Sequence, residues 1–175
     1  MIRRIDFSEA VRLADFLRAC FVDSYGASAP AGDVDAFLAA HYHRDAQAAE
    51  LGDPGRLSML ITDAQGHWAG VAQLQLARAG TPAAGDGTAW LDRFYVDRAH
   101  HGTGLAQRLL AATLASARAS GAQAIELSVW QQAPRAIRFY EGAGFKRVEA
   151  VRFFIGNTPM DDWRMRLAPL TGTQA

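Results

Sequence analysis

The stretch of this chain best suited to chemistry is His101-Gly102-Thr103-Gly104-Leu105-Ala106. It follows an apolar run that ends at Val96 and it opens a helical pattern. Glycines in such a turn let the backbone aim its N–H groups at one point and keep side chains out of the way. Those N–H groups, with the positive end of the helix dipole, make a site for an anion, and a pyrophosphate is the natural occupant. A tight turn with no ligand would use glycines too. A Rossmann dinucleotide site would need its first glycine almost at the strand end, a third glycine and repeated parallel units. Here five residues separate Val96 from Gly102, and Gln107 stands where the third glycine belongs.

Other constellations are weaker. His41-Tyr42-His43 could suggest a metal, but side chains two apart on a helix do not share a face, and no third ligand is apparent. Cys20 is the only cysteine, which excludes an intramolecular disulfide; it follows a helical run and reads as a semi-buried thiol. Gly26-Ala27-Ser28-Ala29-Pro30 nearly spells a hydrolase elbow, but proline stands where glycine belongs and no strand precedes it.

The elements that must position the glycine turn follow from periodicity and breakers. Ile2 to Ile5 reads as a short strand. Val11, Ala14, Leu17 and Phe21 share one helical face, with Ser8 as the expected N-cap. Ser24 to Gly32 is a loop, Val34 to Tyr42 a second helix, and Arg44 to Leu51 a short third. Leu57 to Thr62 and Ala69 to Ala77 form a hairpin around Asp63-Ala64-Gln65-Gly66. A small-residue loop, Gly80 to Gly87, leads to a strand over Ala89 to Val96. Gly104 to Ser120 is a long helix with Leu105 and Leu109, and Leu110 and Leu114, paired along its buried side. Ala124 to Trp130 alternates as a strand, and Pro134 to Glu141 is a short helix with proline in its first turn. Two last strands lie near Val151 to Ile155 and Trp163 to Leu167. This order predicts an α/β fold with a mixed, mostly antiparallel central sheet, one local parallel pair joined by a crossover helix, and flanking helices.

Composition bounds the function. The 175 residues suit one domain over residues 1–170, followed by a short flexible tail at 171–175. Lysine and arginine total 18, as do aspartate and glutamate, so no basic excess points to nucleic acid. No stretch approaches the length of a membrane span and no signal-peptide core opens the chain, so the cytoplasm is the expected location. No metal is expected, and a homodimer is left open.

Beyond the strand that ends at Trp130 comes Ala133-Pro134-Arg135-Ala136-Ile137-Arg138-Phe139-Tyr140-Glu141-Gly142-Ala143-Gly144-Phe145. With the glycine turn, this resembles the GNAT superfamily of acetyl-CoA-dependent N-acetyltransferases. That superfamily has an (Arg/Gln)-x-x-Gly-x-(Gly/Ala) pyrophosphate loop and a later Asn-x-x-Ala-x-x-(hydrophobic)-Tyr-Glu-x-x-Gly-Phe pattern. The likeness spans nearly the whole chain. Phe21 to Tyr25 and the ending around Asp162-Trp163-Arg164-Met165 are similar to the bacterial branch that includes spermidine-type polyamine acetyltransferases.

The resemblance implies a GNAT-like fold with a splayed parallel strand pair. It implies acetyl-CoA as donor and an amine of a small molecule as acceptor, joined by direct attack in a ternary complex. Cofactor contacts are expected from Phe94, Tyr95 and Val96, from His101, Gly102, Thr103, Gly104, Leu105 and Ala106, and from Ala133 and Tyr140. A backbone N–H near Tyr95-Val96 would meet the oxyanion, and Tyr140 would be the general acid. Asp92 and Glu126 are the strand carboxylates that could act as general base; a water chain or an ion-paired role for either is the alternative. Two departures stand out: His101 replaces Arg or Gln, and Ala133 replaces Asn. They keep open a second function, an acyl-CoA-binding module with little turnover. Asp23, Asp33, Asp35, Asp45, Asp161 and Asp162 would draw a cationic, polyamine-like acceptor.

Overall fold

The computed structural model describes residues 1–76 and 87–170. The expected tail at 171–175, the loop at 80–86 and the last residue of the expected strand at Ala77 lie outside the described residues. In chain order the elements are β1 (Ile2–Arg4), α1 (Ala10–Tyr25), α2 (Ala31–His41), α3 (Arg44–Gly52), β2 (Arg56–Thr62), β3 (Trp68–Gln75), β4 (Thr88–Val96), α4 (Leu105–Ala119), β5 (Ala124–Trp130), α5 (Pro134–Gly142), β6 (Lys146–Ile155) and β7 (Thr158–Leu167). One seven-stranded sheet has the order β1-β2-β3-β4-β5-β7-β6. Every pairing is antiparallel except β4 with β5. The expected mixed α/β architecture is therefore present.

Each face of the sheet carries its own core. Leu105, Leu109 and Leu110 of α4 and Ile137 of α5 pack on Met59, Ile61, Ile125 and Leu127. Leu13, Leu17 and Phe21 of α1, with Val34 and Leu38 of α2, pack on Leu60, Val71 and Ile155. Covering from both sides explains why β2 is buried at every position from Leu57 to Thr62 rather than at alternate ones. Leu109 is fully buried under α4, the helix that presents the glycine turn. Leu109→Ala should cost about 2–5 kcal/mol, through lost burial plus the cavity left behind. Urea denaturation checks this, and a cost under about 1 kcal/mol would mean that α4 is not held by this contact.

Two local expectations need correction. Asp6, not Ser8, caps the first helical segment: its carboxylate accepts from Ser8 N–H at 2.9 Å, and the Glu9 carboxylate accepts from Asp6 N–H at 2.9 Å. A 3-10 turn at Phe7–Glu9 intervenes before α1, which moves the cap upstream. The last two strands are also longer than alternation suggests, reaching back to Lys146 and Thr158. β6 is an edge strand with mostly exposed residues, so it lacks the apolar alternation that marks a strand in sequence. β7 is inserted between β5 and β6. The turn joining them is pinned to α2: Thr158 Oγ1 donates to Asp33 Oδ2 at 2.6 Å.

Candidate active site

The glycine turn has the geometry that its composition requires. Gly102 and Gly104 have φ of +82° and +83°, a region that residues with a side chain rarely enter. Gly104 is the N-cap of α4, and a Cβ at either glycine would point into open space. Among the described residues, the N–H groups of Gly102, Gly104, Leu105, Ala106 and Gln107 donate to no protein acceptor. Thr103 N–H is turned back to the His100 carbonyl at 3.4 Å, and its hydroxyl donates to the same oxygen at 2.7 Å. A free row of N–H groups at the start of a 15-residue helix fits a pyrophosphate. The Leu105 side chain turns the other way, into the core, so its contribution to such a ligand is its backbone.

His101 keeps a polar role in this turn. Its Nε2 lies 2.9 Å from the Val96 carbonyl oxygen, and the Arg135 guanidinium lies 3.0 Å from its Nδ1. A guanidinium can only donate, so Nδ1 accepts and Nε2 carries the hydrogen given to Val96. The imidazole thus ties the turn to β4 on one side and to the first turn of α5 on the other. Ala133 is the N-cap of α5 and offers no side-chain cap.

The central feature lies between β4 and β5. They pair only over Thr88–Trp90 with Ala124–Glu126. Beyond that point β4 stays with β3 as far as Val96, and β5 stays with β7 as far as Trp130. The two strands therefore splay apart. A β-bulge adds to the divergence, because Gln73 pairs with Arg93 and Leu74 with Leu91, leaving Asp92 as the extra residue. The gap is a cavity of about 180 Å³. Phe94, Ala133, Ala136 and Tyr140 line it on the α5 side, and Tyr25, Tyr95, Ser128 and Trp130 on the α1 side. A second hollow of about 380 Å³ is walled by Ala27, Ser28, Trp130, Gln131, Gln132, Pro159, Met160 and Asp161. Trp130 borders both spaces. The loop after α1 and the start of β7 thus contribute to this hollow, while the expected helix 34–42 lies outside its lining.

Backbone polarity in the gap follows from the ladder. Asp97 N–H donates to the Ala69 carbonyl of the β3 side at 2.9 Å. Alternation then sends the Tyr95 amide toward β3 and those of Phe94 and Val96 toward the open edge. Of these two residues Phe94 lines the cavity, and Val96 lies just beyond its lining.

The Tyr140 ring is held edge-on by Phe94, Phe139 and Phe145, with centroids 6.2, 5.3 and 5.6 Å away. Burial raises the phenol pKa well above its ordinary value, and the nearby Tyr25 adds to this. A phenol so placed keeps its proton across the physiological range.

The strand carboxylates divide. Asp92 lines the cavity, but its carboxylate is bound by Arg56. Burial pushes its pKa up, and Arg56 and Arg93 draw it back. Arg93 is itself held by Glu50 at 2.5 Å and by Gln73 Oε1 at 2.9 Å, so Asp92 belongs to a charged network under α3. Glu126 lies outside the cavity lining, at the last paired position before the strands part. It accepts from Arg166 at 2.7 Å and has Arg164 at 3.7 Å. This is the ion-paired alternative expected for Glu126, whose carboxylate is taken by these arginines.

Cys20 is buried in α1 and absent from both linings. Burial, then Asp97 and Asp23, pushes its thiol up to about 12, which suppresses any nucleophilic role. His43 caps α3, with Nδ1 3.4 Å from Ala46 N–H. Among the described residues no group of three His, Cys, Asp or Glu side chains is placed to hold a metal ion, and no helix is long and apolar enough to cross a membrane.

One group at the gap did not stand out in sequence as a chemical residue. Asp162 on β7 sits opposite Trp130 in the ladder, and only 4% of its surface is exposed. Its Oδ1 has no hydrogen-bond partner among the described residues. The Ser128 hydroxyl lies beside it. The one signal for Asp162 was its membership of a run of acidic residues around the cleft.

A glycine cradle at a helix start, a splayed strand pair and a phenol in the wall between the strands are the parts a CoA-dependent acyltransferase needs. The model of the acetyltransferase (GNAT) family matches residues 13–145, and the chain belongs to that family. It is an acetyl-CoA-dependent acetyltransferase. Solved structures share the fold. The PaiA N-acetyltransferase of Thermoplasma acidophilum, in complex with coenzyme A, has a TM-score of 0.78 at 17% identity, over 96% of this chain and 98% of that one. The spermidine N-acetyltransferase of Vibrio cholerae, in complex with CoA and spermine, has a TM-score of 0.72 at 18% identity, over 97% of this chain and 95% of that one. No curated protein matches the chain in sequence.

Proposed function

We propose that the protein moves an acetyl group from acetyl-CoA to the primary amine of a small molecule, by direct attack within a ternary complex. The observation that carries this is the cavity between β4 and β5, which has Tyr140 on one side and the space bordered by Trp130 on the other. A thioester held from the glycine cradle can end in this gap, and an amine can approach from the opposite side. No cysteine lines either space, which argues against a thiol acyl-enzyme.

The chain's own groups then have distinct tasks. Gly102, Gly104, Leu105 and Ala106 hold the pyrophosphate through their N–H groups. Phe94, Ala133 and Ala136 give the cofactor arm an apolar wall. The Val96 amide holds the carbonyl oxygen as it gains charge. Tyr140 gives its proton to the departing thiolate. Primary amines have pKa values near 10, so the acceptor must also lose a proton before or during attack. Double-reciprocal plots of rate against amine, at several acetyl-CoA concentrations, should intersect. Parallel lines would replace direct attack with a covalent acetyl-enzyme.

A polyamine-like cation is the acceptor class we favour. The larger hollow offers the Trp130 ring, two glutamine side chains and Asp161, and an alkylammonium suits an aromatic face beside a carboxylate. The Vibrio cholerae structure with spermine supports the same class. Asp161 alone of the expected acidic set lines this hollow, and Asp33 is engaged by Thr158. With acetyl-CoA saturating, kcat/KM for spermidine should exceed that for alanine by about tenfold or more, the scale of one retained charge contact. Equal values would remove the polyamine assignment and leave the amine acetyltransferase. The cytoplasm is the proposed setting.

A further inference from the structure

Removal of the amine proton still lacks a group, because Asp92 is bound by Arg56 and Glu126 by Arg166. We propose that Ser128 and Asp162 form a proton relay in which Ser128 is the catalytic residue and Asp162 acts through it. The inference rests on the acetyltransferase reading of this gap.

Three observations place the pair. Ser128 is exposed within the cavity between the splayed strands, on the side where the amine would enter. Asp162 lies beside Ser128 on the neighbouring strand, nearly fully buried, with one carboxylate oxygen that no protein group satisfies. An unpaired buried carboxylate is costly, and such a group persists where function needs it. Among the described residues no cation lies within ion-pair distance of Asp162. The Arg164 guanidinium on the same strand goes to Glu149 at 3.1 Å, and Arg152 on β6 is near Asp161 at 3.7 Å.

The carboxylate is therefore more basic than an ordinary one. Burial raises it to about 6, Ser128 draws it back, and Asp161 adds repulsion. Tyr25 on α1 also faces it and stays neutral, its own pKa raised by burial and then by the Asp162 charge. A base with this pKa is ionised and available at neutral pH.

The step balances. The ammonium first loses one proton to solvent. As the nitrogen lone pair bonds to the thioester carbon, a remaining N–H proton passes to Ser128 Oγ, and the Ser128 hydroxyl proton passes to Asp162. The carbon–sulfur bond then breaks, and the thiolate takes the Tyr140 proton. Asp162 later returns its proton to water and Tyr140 regains one from water, so the cycle releases one proton net.

The test is the pH profile of kcat for wild type, Ser128→Ala, Ser128→Thr and Asp162→Asn, with spermidine and saturating acetyl-CoA. Calorimetry of acetyl-CoA binding is run alongside. In wild type, activity should fall as pH drops through about 6, as Asp162 takes up a proton. Asp162→Asn should lose about 10²-fold in kcat and lose that acidic limb, with acetyl-CoA affinity unchanged. Ser128→Ala should show a similar loss, and Ser128→Thr, which keeps the hydroxyl, should recover most of it. Thermal unfolding separates this from a structural role. Asp162→Asn removes a buried charge at pH 8, so its melting temperature there should equal or exceed that of wild type. A lower melting temperature with the acidic limb intact overturns the relay. So does a kcat for Asp162→Asn or Ser128→Ala within threefold of wild type. If wild type binds acetyl-CoA but acetylates neither spermidine nor any other amine, the acceptor reading itself fails and the relay falls with it.

Discussion

Tyr140→Phe is expected to lower kcat by roughly 10²-fold or more, with acetyl-CoA affinity unchanged. The substitution removes one oxygen and keeps the ring. The ring's contacts with Phe94, Phe139 and Phe145 should therefore survive, and the fold with them. Burial keeps the phenol protonated, so the loss should be the same across the neutral range rather than confined to one side of it. Stopped-flow or initial-rate measurement at saturating acetyl-CoA checks this, once chemistry is shown to limit turnover. A change below about threefold would make Tyr140 a packing residue and leave solvent as the proton donor.

The second large effect is at Gly104. Gly104→Val should abolish acetyl-CoA binding detectable by calorimetry. Valine is β-branched, and the glycine sits at φ +83° on the first residue before α4. Holding a non-glycine residue there costs about 1–3 kcal/mol of strain. The turn would relieve that strain by rotating, which takes the N–H groups of Leu105 and Ala106 off their common target. The space around Gly104 is open, so the effect arises from backbone conformation and from the side chain entering the ligand's path rather than from a clash with the protein. Unchanged affinity would place the pyrophosphate elsewhere on the molecule.

These two residues were readable from sequence for a physical reason. A turn that requires positive φ admits little but glycine, so Gly102 and Gly104 carry their geometry in their identity. Tyr140 lies on a short helix with a proline start and a glycine after its end, and both boundaries are local signals. Glu126 shows where local reading runs out. It alternates among apolar residues just as a cleft-facing carboxylate would, yet its partner Arg166 lies forty residues away, and only the insertion of β7 beside β5 brings them together. The same insertion places Asp162 opposite Trp130 and beside Ser128. No spacing rule connects residues on strands paired so far apart in the chain. Asp6 was hidden for a different reason: a single 3-10 turn displaced the cap by two residues, which is within the blur of any helix boundary.

The His101 and Ala133 departures can also be weighed. His101 binds the Val96 carbonyl and receives Arg135, so a histidine secures the turn in the place of the usual arginine or glutamine. Ala133 puts a methyl group in the cavity wall where the family pattern has an amide, and it gives α5 no side-chain cap.

The central claim is that this cleft acetylates an amine, and the most direct measurement is amine-dependent release of free CoA thiol, paired with mass spectrometry of the amine. Wild-type protein with acetyl-CoA and a panel of spermidine, amino acids, aminoglycosides and peptide N-termini should release one thiol for each acetyl group gained by an acceptor. Firm binding of acetyl-CoA with no thiol released above the amine-free rate, across the whole panel, would contradict it.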